Sequence, residues 1–104
     1  MQEIQVSFRS GDLRLEGLLA SPCANAPAAV VCHPHPAYGG SMDNNVVDAI
    51  LAAMWQAGYA TLRFNFRGVG ASEGEHDAGP GEVDDAVAAM AFLLASPACA
   101  KRAP

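Results

Sequence analysis

Two loop-like segments of the chain combine residues that could do chemistry. The first, residues 32–41 (CHPHPAYGGS), holds two histidines two positions apart, two prolines and two glycines. Its prolines stiffen the backbone and lack N–H groups, which leaves His35, Ala37, Tyr38 and the glycines as amide donors. A stiff loop with a few exposed amides suits the stabilisation of an oxyanion. A rigid connection between a strand and a helix is the alternative interpretation.

The histidines of this segment also raise the question of a metal site. His33 and His35 could bind Zn²⁺ if a third ligand such as His76, Asp77 or Asp43 joined them. Alternate residues of an extended backbone point to opposite sides, and no third histidine is near in the sequence. We therefore expect neither a metal ion nor another cofactor.

The second segment, residues 63–74 (RFNFRGVGASEG), invites comparison with one catalytic and one nucleotide-binding pattern. Residues 70–74 have the Gly-x-Ser-x-Gly form of a nucleophile elbow. An elbow turns directly from a strand into a helix, whereas Ser72 lies in a polar, glycine-rich stretch, so it is not expected to be a nucleophile. The glycines also miss the spacing of a dinucleotide-binding fingerprint by one residue. Arg67 is expected to brace the loop by donating hydrogen bonds to carboxylates or carbonyls.

Composition excludes several classes of protein. The chain has 104 residues, with six Lys and Arg against eleven Asp and Glu, and a formal net charge of -5. Nucleic-acid-binding faces are basic, so no nucleic-acid partner is expected. Hydrophobic residues make up 51 % of the chain, which argues against disorder. A chain of this length holds one small domain at most.

The sequence also bears on location. The longest apolar run, residues 86–95, is too short to cross a membrane. The N-terminus lacks the basic start and apolar run of a secretory signal, so a cytoplasmic protein is expected. The three cysteines (Cys23, Cys32 and Cys99) are widely spaced and predict neither a disulfide framework nor a zinc ribbon.

The elements that must position the two segments begin with a predicted hairpin. Apolar residues alternate with polar ones over residues 4–8 and again over 13–19, with Ser10-Gly11-Asp12 between them. This pattern predicts two antiparallel strands joined by a short turn. The continuous apolar run at residues 28–32 predicts a third strand, of the kind found in parallel sheets.

Helices and one more strand are predicted after that. Apolar rows at i, i+4 spacing predict an amphipathic helix over about residues 42–57, with Ser41 as its N-cap. A fourth strand over residues 60–66 completes a βαβ unit, which is right-handed almost without exception. A second helix is predicted over about residues 82–95, ended by Ser96-Pro97. One face of this helix consists of Val83, Val87, Met90 and Leu94.

Both segments resemble motifs of a known family. Residues 30–47 (VVCHPHPAYGGSMDNNVV) followed by 58–74 (GYATLRFNFRGVGASEG) are similar to the small lidless bacterial α/β-hydrolases, which are serine hydrolases. The stretches LEGLL at 15–19 and GEVDDA at 81–86 fit as well. The resemblance implies that residues 1–104 are the N-terminal half of one such domain. Its fold class would be α/β, a partial α/β-hydrolase sheet with an opening antiparallel hairpin, a right-handed βαβ unit and a second helix.

The resemblance also implies roles for the two segments. The loop after the third strand would contribute a backbone N–H to an oxyanion hole. The candidates for this oxyanion hole are His35, Ala37 and Tyr38. The residues that would shape the site without reacting are His33, Arg67, Gly68, Gly70 and Ser72.

The family's nucleophile elbow follows the second helix, and its acid and histidine come later still. The sequence ends before all three, so no catalytic residue is expected in it and the chain alone is expected to be inactive. When complete, such a domain would be a carboxylesterase-like enzyme with a small acyl substrate. The alternative is a non-catalytic α/β interaction module, or a half-domain completed by another chain. In the family's strand order the third strand would be left at the edge, which predicts a homodimer through that edge.

Overall fold

The sheet begins with a tight hairpin, as the alternation of apolar residues predicts. The computed structural model describes residues 1–23, 25–38 and 40–96. In it, β1 (Ile4–Ser10) pairs antiparallel with β2 (Leu13–Ala20). Gly11 supplies the positive φ, +59°, that a two-residue turn requires. The register places Phe8 opposite Leu15, and both are buried in the core.

Two more strands and a helix form the predicted βαβ unit. β3 (Ala28–Val31) runs parallel to β4 (Ala60–Phe64), and α1 (Asn45–Gln56) connects them. The strand order is β1-β2-β4-β3, with β4 antiparallel to β2. Among the residues that the structure describes, β3 is therefore an edge strand. This confirms the prediction that the third strand lies at the edge of the sheet.

β4 is two residues shorter than predicted. The Asn65 amide still donates to the Glu16 carbonyl of β2 at 3.1 Å, but the Phe66 amide donates to the His33 side chain. The end of the strand is therefore set by a side chain that is distant in the sequence.

The predicted N-cap of α1 is wrong. The cap is Asn44, whose Oδ1 accepts a hydrogen bond from the Val46 amide at 2.8 Å, so the helix begins at Asn45. Ser41 closes a turn before the helix instead, because its Oγ accepts from the Asp43 amide at 3.2 Å. Asn and Ser are both strong N-caps, and nothing local in the sequence distinguishes them here.

α2 (Pro80–Ala95) begins two residues earlier than predicted. Pro80 is tolerated at its first position because the first N–H groups of a helix have no intrahelical partner. Glu82 accepts a hydrogen bond from the amide of the N-cap residue, Gly79, at 2.9 Å. Ser96 is the C-cap, whereas the predicted stop at Pro97 lies outside the described residues.

The core lies on both faces of the sheet. Phe64 and Leu62 of β4 pack with Leu93 of α2 in the larger cluster. Val31 packs with Val47 and Leu51 of α1 in a separate cluster. Since adjacent strand residues point to opposite faces, each helix covers one face of the sheet.

The large apolar face of α2 points away from this core. Val83 and Val87 are 63 % and 64 % exposed, and Met90 and Leu94 are also exposed. The face against the sheet consists of Gly81, Asp85, Ala89 and Leu93. The four exposed apolar residues do share one side of the helix, as predicted, but that side faces solvent in the described structure. None of the described helices is long and apolar enough to cross a membrane.

Candidate functional site

A cleft of about 410 Å³ opens between the two loops at the carboxyl ends of β3 and β4. The β3–α1 loop (residues 32–44) forms one wall, and the β4–α2 loop (residues 65–79) with the start of α2 forms the other. The lining residues are His33, Pro34, His35, Pro36, Phe66, His76, Ala78, Gly79 and Glu82. Ligands of open α/β sheets bind at this edge, so the topology places both chemical segments where a site is expected.

His33 joins the two loops and is 6 % exposed. Its Nε2 lies 3.1 Å from the Phe66 amide, which can only donate, so Nε2 accepts. The ring proton is therefore on Nδ1, which donates to the Pro34 carbonyl at 2.8 Å. The ring also packs edge-to-face on Phe66 with centroids 4.9 Å apart. Nε2 links the two loops and Nδ1 is occupied within the first loop, which opposes the use of either nitrogen as a metal ligand.

His35 holds one of the candidate oxyanion amides. Its Nδ1 accepts a hydrogen bond from the Ala37 amide at 2.9 Å. Ala37 and Tyr38 belong to a one-turn 3₁₀ helix, Pro36–Tyr38. A substrate oxygen would therefore have to replace the imidazole as the acceptor of the Ala37 N–H. Sequence reasoning did not reveal this competition, because it depends on the side-chain conformation of His35.

His76 brings the second loop against the first. Its ring lies edge-to-face with that of His35, with centroids 4.6 Å apart, and its Nδ1 lies 3.2 Å from Glu82 Oε2. Burial would raise the pKa of Glu82, but the amides of Asp77 and Gly79 donate to its carboxylate and hold the pKa below its usual range. Glu82 is thus an ionised group at the wall of the cleft.

Ser72 is buried, and its hydroxyl is committed to the backbone. Its Oγ donates to the Asn65 carbonyl at 2.6 Å and accepts from the Glu16 amide at 3.0 Å. A nucleophilic serine instead donates to a general base, commonly an imidazole. This geometry gives Ser72 a bracing role in the loop.

The glycines of the β4–α2 loop allow close approach. Gly68 and Gly70 have positive φ angles of +79° and +54°. A Cβ on Gly68 would lie 2.8 Å from the His76 amide nitrogen, and one on Gly70 would lie 2.6 Å from Asn65 Nδ2. Both positions therefore require glycine for conformation and for space.

Arg67 braces the same loop onto α2. Its Nη2 donates to Asp85 Oδ1 at 2.8 Å, and its backbone amide donates to Asp85 Oδ2 at 2.9 Å. The hydrogen bonds and charge of Asp85 raise the pKa of Arg67 further above its already high value. Arg67 is therefore occupied within the fold and does not reach into the cleft as a substrate clamp.

A family model described as X-Pro dipeptidyl-peptidase (S15 family) matches residues 11–103, nearly the whole chain. The chain belongs to the S15 family.

Individual relatives support the same assignment. Protein RP471 of Rickettsia prowazekii (strain Madrid E) is 48 % identical to the S15-family chain over 90 residues, which are 86 % of this chain and 38 % of RP471. The structure of ATU1826 from Agrobacterium tumefaciens is 40 % identical with a TM-score of 0.78, over 89 % of this chain and 42 % of that one. XC6422 from Xanthomonas campestris, an α/β serine hydrolase without a lid, is 35 % identical with a TM-score of 0.81, over 93 % and 46 %.

The four strands and two helices are therefore part of an α/β-hydrolase fold, as the motifs predict. The S15-family chain spans less than half the length of each of these three relatives.

Several residues that hold this S15-family site together were not predicted. Asn65 is 3 % exposed and connects both loops, and Arg63 forms an ion pair with Glu3 at 2.7 Å. Asp85 is fully buried. The sequence does carry a weak signal for two of them, since Arg63 and Asn65 interrupt the apolar strand ATLRFNF at alternate positions, on one face.

Metal ligation is not supported by the side chains of this site. Across residues 1–23, 25–38 and 40–96, no three His, Cys, Asp or Glu side chains are grouped so that they could hold a metal ion. His76 does lie beside His35, but His33, the other member of the predicted pair, is turned into the two loops.

Proposed function

We propose that this chain is the oxyanion-binding part of a serine hydrolase, which is carboxylesterase-like and acts on acyl esters when its domain is complete. The observation that carries the proposal is the stiff β3–α1 loop at the carboxyl edge of the sheet, in a chain of the S15 family. The serine, histidine and acid of such an enzyme would come from residues beyond these 104. A cytoplasmic location belongs to the same proposal and is supported by two free cysteines, Cys23 and Cys32.

The chemistry assigned to this chain is electrostatic. When a serine attacks an acyl carbonyl, the carbonyl oxygen becomes negatively charged and requires N–H donors. The proposed donors are amides of His35, Ala37 and Tyr38. The Ala37 N–H donates to His35 Nδ1 at 2.9 Å, so the imidazole would have to move away before this donor could bind a substrate oxygen. One such donor typically contributes a factor of about 10²–10³ to kcat.

The cleft favours a small, largely apolar acyl group. Pro34, Pro36, Phe66 and Ala78 supply apolar lining. A volume of about 410 Å³ falls within the range of small-molecule sites. Ester and amide substrates pass through the same tetrahedral geometry, so a peptide substrate of the kind in the family description is the competing substrate class.

A chimera tests this proposal directly. Residues 1–96 of this chain would be joined to the part of XC6422 that has no counterpart here, since the two proteins superpose with a TM-score of 0.81. We expect fluorophosphonate labelling of a serine in the XC6422 part and hydrolysis of p-nitrophenyl butyrate. Replacing Ala37 with proline removes its N–H and is expected to lower kcat about 10²-fold. A folded chimera without labelling or hydrolysis would contradict the proposal.

A control variant distinguishes the loss of the Ala37 N–H from the loss of the Ala37 side chain. Ala37→Gly keeps the amide and is expected to retain most of the activity. Hydrolysis of a dipeptidyl X-Pro anilide faster than that of the ester would replace the ester assignment with a peptidase assignment.

A second candidate function is a half-domain that a separate chain completes. The specific observations are the exposed apolar stripe on α2 and the unpaired edge of β3 among the described residues. The relatives are more than twice as long as the matched region, so the fitting occupant is the remaining half of such a hydrolase domain. Mixing this chain with the separately expressed remainder of XC6422 would give a 1:1 complex by size-exclusion chromatography. A homodimer that does not bind the remainder would contradict this candidate.

A further inference from the structure

The backbone amide and carbonyl of Met42, near the end of the β3–α1 loop, are both hydrogen-bonded to side chains. One side chain belongs to β4, and the other belongs to the residue that follows β4. Asn65 Oδ1 accepts a hydrogen bond from the Met42 amide at 2.8 Å. Arg63 Nη1 donates to the Met42 carbonyl at 2.9 Å. We propose that Arg63 and Asn65 are positioning residues that set the location of the oxyanion amides in this loop. This inference rests on the proposed function.

Asn65 can make this contact in only one orientation. Its Nδ2 donates to Glu16 Oε2 at 2.7 Å, and a carboxylate requires a donor. The Met42 amide requires an acceptor, so the two ends of the Asn65 amide cannot exchange. The same Glu16 oxygen also accepts from the Ala71 amide at 2.6 Å. Asn65 is therefore fixed from two sides before it contacts the loop.

Asn65 also links the two walls of the cleft. Its backbone carbonyl accepts from Ser72 Oγ in the β4–α2 loop, while its side chain holds Met42 in the β3–α1 loop. A displacement of either loop therefore acts on the other through one buried residue. Such a network in a low-dielectric interior is rigid when every group has a partner.

Arg63 is fixed by charged partners. Its Nε and Nη2 donate to the two carboxylate oxygens of Glu3 at 2.9 and 2.7 Å, a bidentate pair. Nη1, which holds the Met42 carbonyl, also donates to Asp48 at 3.0 Å. The planar guanidinium keeps these directions constant, which lysine cannot do.

Ordinary helix capping does not explain these contacts. The N-cap of α1 is Asn44, and Met42 lies before it in irregular backbone. Catalytic donors must be placed within about 0.5 Å, so the support of the loop decides whether its amides are useful. Arg63 and Asn65 provide that support from the adjacent strand.

Hydrogen–deuterium exchange on the 104-residue chain tests the positioning role without any activity. In Asn65→Ala, we expect amides of residues 35–42 to exchange at least about 10-fold faster than in the unmodified chain, a change of one power of ten in the opening equilibrium. Ala89→Gly, in the core on the other face of the sheet, is the control for global destabilisation and costs about 1 kcal/mol. If Ala89→Gly accelerates the loop as much as Asn65→Ala does, the positioning role is wrong.

Two further variants separate the two contacts. Asn65→Asp keeps an acceptor for the Met42 amide but loses the donor to Glu16, and Arg63→Lys keeps the charge but loses the bidentate geometry. Arg63→Lys is expected to accelerate exchange in residues 35–42 by less than Asn65→Ala does. Asn65→Asp places a second carboxylate against that of Glu16 and is expected to accelerate exchange at least as much as Asn65→Ala does. Unchanged loop exchange in both Asn65→Ala and Arg63→Lys would overturn the inference.

The chimera with XC6422 connects the positioning role to catalysis. Asn65→Ala is expected to lower kcat about 10-fold or more while KM changes little, because the loop amides act on the transition state. Faster loop exchange with an unchanged kcat would support the positioning of the loop but contradict its oxyanion function. An inactive parent chimera would contradict the proposed function, while the exchange measurements would still decide the positioning role.

Discussion

The carboxylate of Asp85, completely buried under the sheet, accepts hydrogen bonds from both the guanidinium and the backbone amide of Arg67. This pair attaches the β4–α2 loop to the first turns of α2. Burial alone would raise the pKa of Asp85, but the hydrogen bonds from Arg67 and Ser10 hold it below its usual range. The wall of the cleft therefore depends on an ionised group inside the protein.

Replacing Asp85 with asparagine is expected to destabilise the chain by about 2–3 kcal/mol, because charge-assisted hydrogen bonds are lost and Arg67 keeps an uncompensated charge. Urea unfolding followed by circular dichroism measures this change. Asp84→Asn is the matched control, since Asp84 is exposed and its replacement is expected to change stability by less than about 0.5 kcal/mol. Equal effects of the two variants would contradict the importance of the buried pair.

Acid is expected to destabilise the fold through Asp85 and Glu82. The folded-state pKa of each lies below its usual value, so each contributes stability above its unfolded-state pKa of about 4. That contribution is lost as the pH falls through the lower folded-state pKa. The free energy of unfolding should therefore decrease below about pH 5. The difference between the unmodified chain and Asp85→Asn should shrink over the same range, and a constant difference would contradict this assignment.

Gly70→Ala is expected to be far more disruptive than Gly11→Ala. Both glycines have positive φ, which costs alanine about 1 kcal/mol. A Cβ at Gly11 would meet nothing within 4 Å, whereas one at Gly70 would strike Asn65 and the Glu16 carboxylate. The clash should add about 1–3 kcal/mol. Thermal unfolding of the two variants makes the comparison, and similar melting temperatures would show that the network around Asn65 yields easily.

The 104-residue chain alone is expected to be inactive toward acyl esters. The hydroxyl proton of Ser72 is directed at the Asn65 carbonyl, so no base activates it. We expect no burst of product from p-nitrophenyl acetate and no fluorophosphonate label by mass spectrometry. Stoichiometric labelling at Ser72 would contradict this prediction.

The isolated chain is expected to self-associate, through the β3 edge or through the outer face of α2. Val83, Val87, Met90 and Leu94 follow a 4-3-4 spacing, which is that of a helix-packing seam. Sedimentation velocity should show dimers or larger species at micromolar concentration. Val87→Lys should reduce association if α2 is involved, and Ala29→Lys, at a β3 residue outside both core clusters, should do so if the β3 edge is involved. A compact monomer that unfolds cooperatively at this concentration would contradict the prediction.

Local sequence patterns predicted the elements well and the contacts between them poorly. Alternation of apolar residues located both strands of the hairpin, and the apolar run at residues 28–32 located β3, which ends one residue earlier at Val31. The start of α1 was placed too early because Ser41 and Asn44 are equally good caps. In α2, the spacing of the large apolar residues showed which of them share a face. It did not show that the face with Gly81, Asp85, Ala89 and Leu93 would pack against the sheet.

In the candidate site, too, the segments were predicted from the sequence and the contacts between them were not. The two loops were located from their residue types, whereas the side chains that connect them were not. Asn65 meets Glu16 across 49 positions of the chain, and Arg67 meets Asp85 across 18. No local periodicity reports pairings of this kind. A polar residue inside an apolar strand, as at Arg63, is the available clue that such a partner exists.

The topology of the sheet also implies an order of assembly. β1 and β2 are joined by a two-residue turn, so closing them costs little chain entropy. Ala28 meets Ala60 only after the chain has passed through α1, and β3 has one strand neighbour among the described residues. Contacts between residues that are distant in the sequence form more slowly than local ones. We therefore expect the hairpin to form first in refolding experiments. The pairing of β3 with β4 should come next, because it closes a shorter stretch of chain than the pairing of β2 with β4 does. Among the described residues β3 is the shorter of the two edge strands, with four residues against seven in β1, so it should be the first strand to open in the native protein.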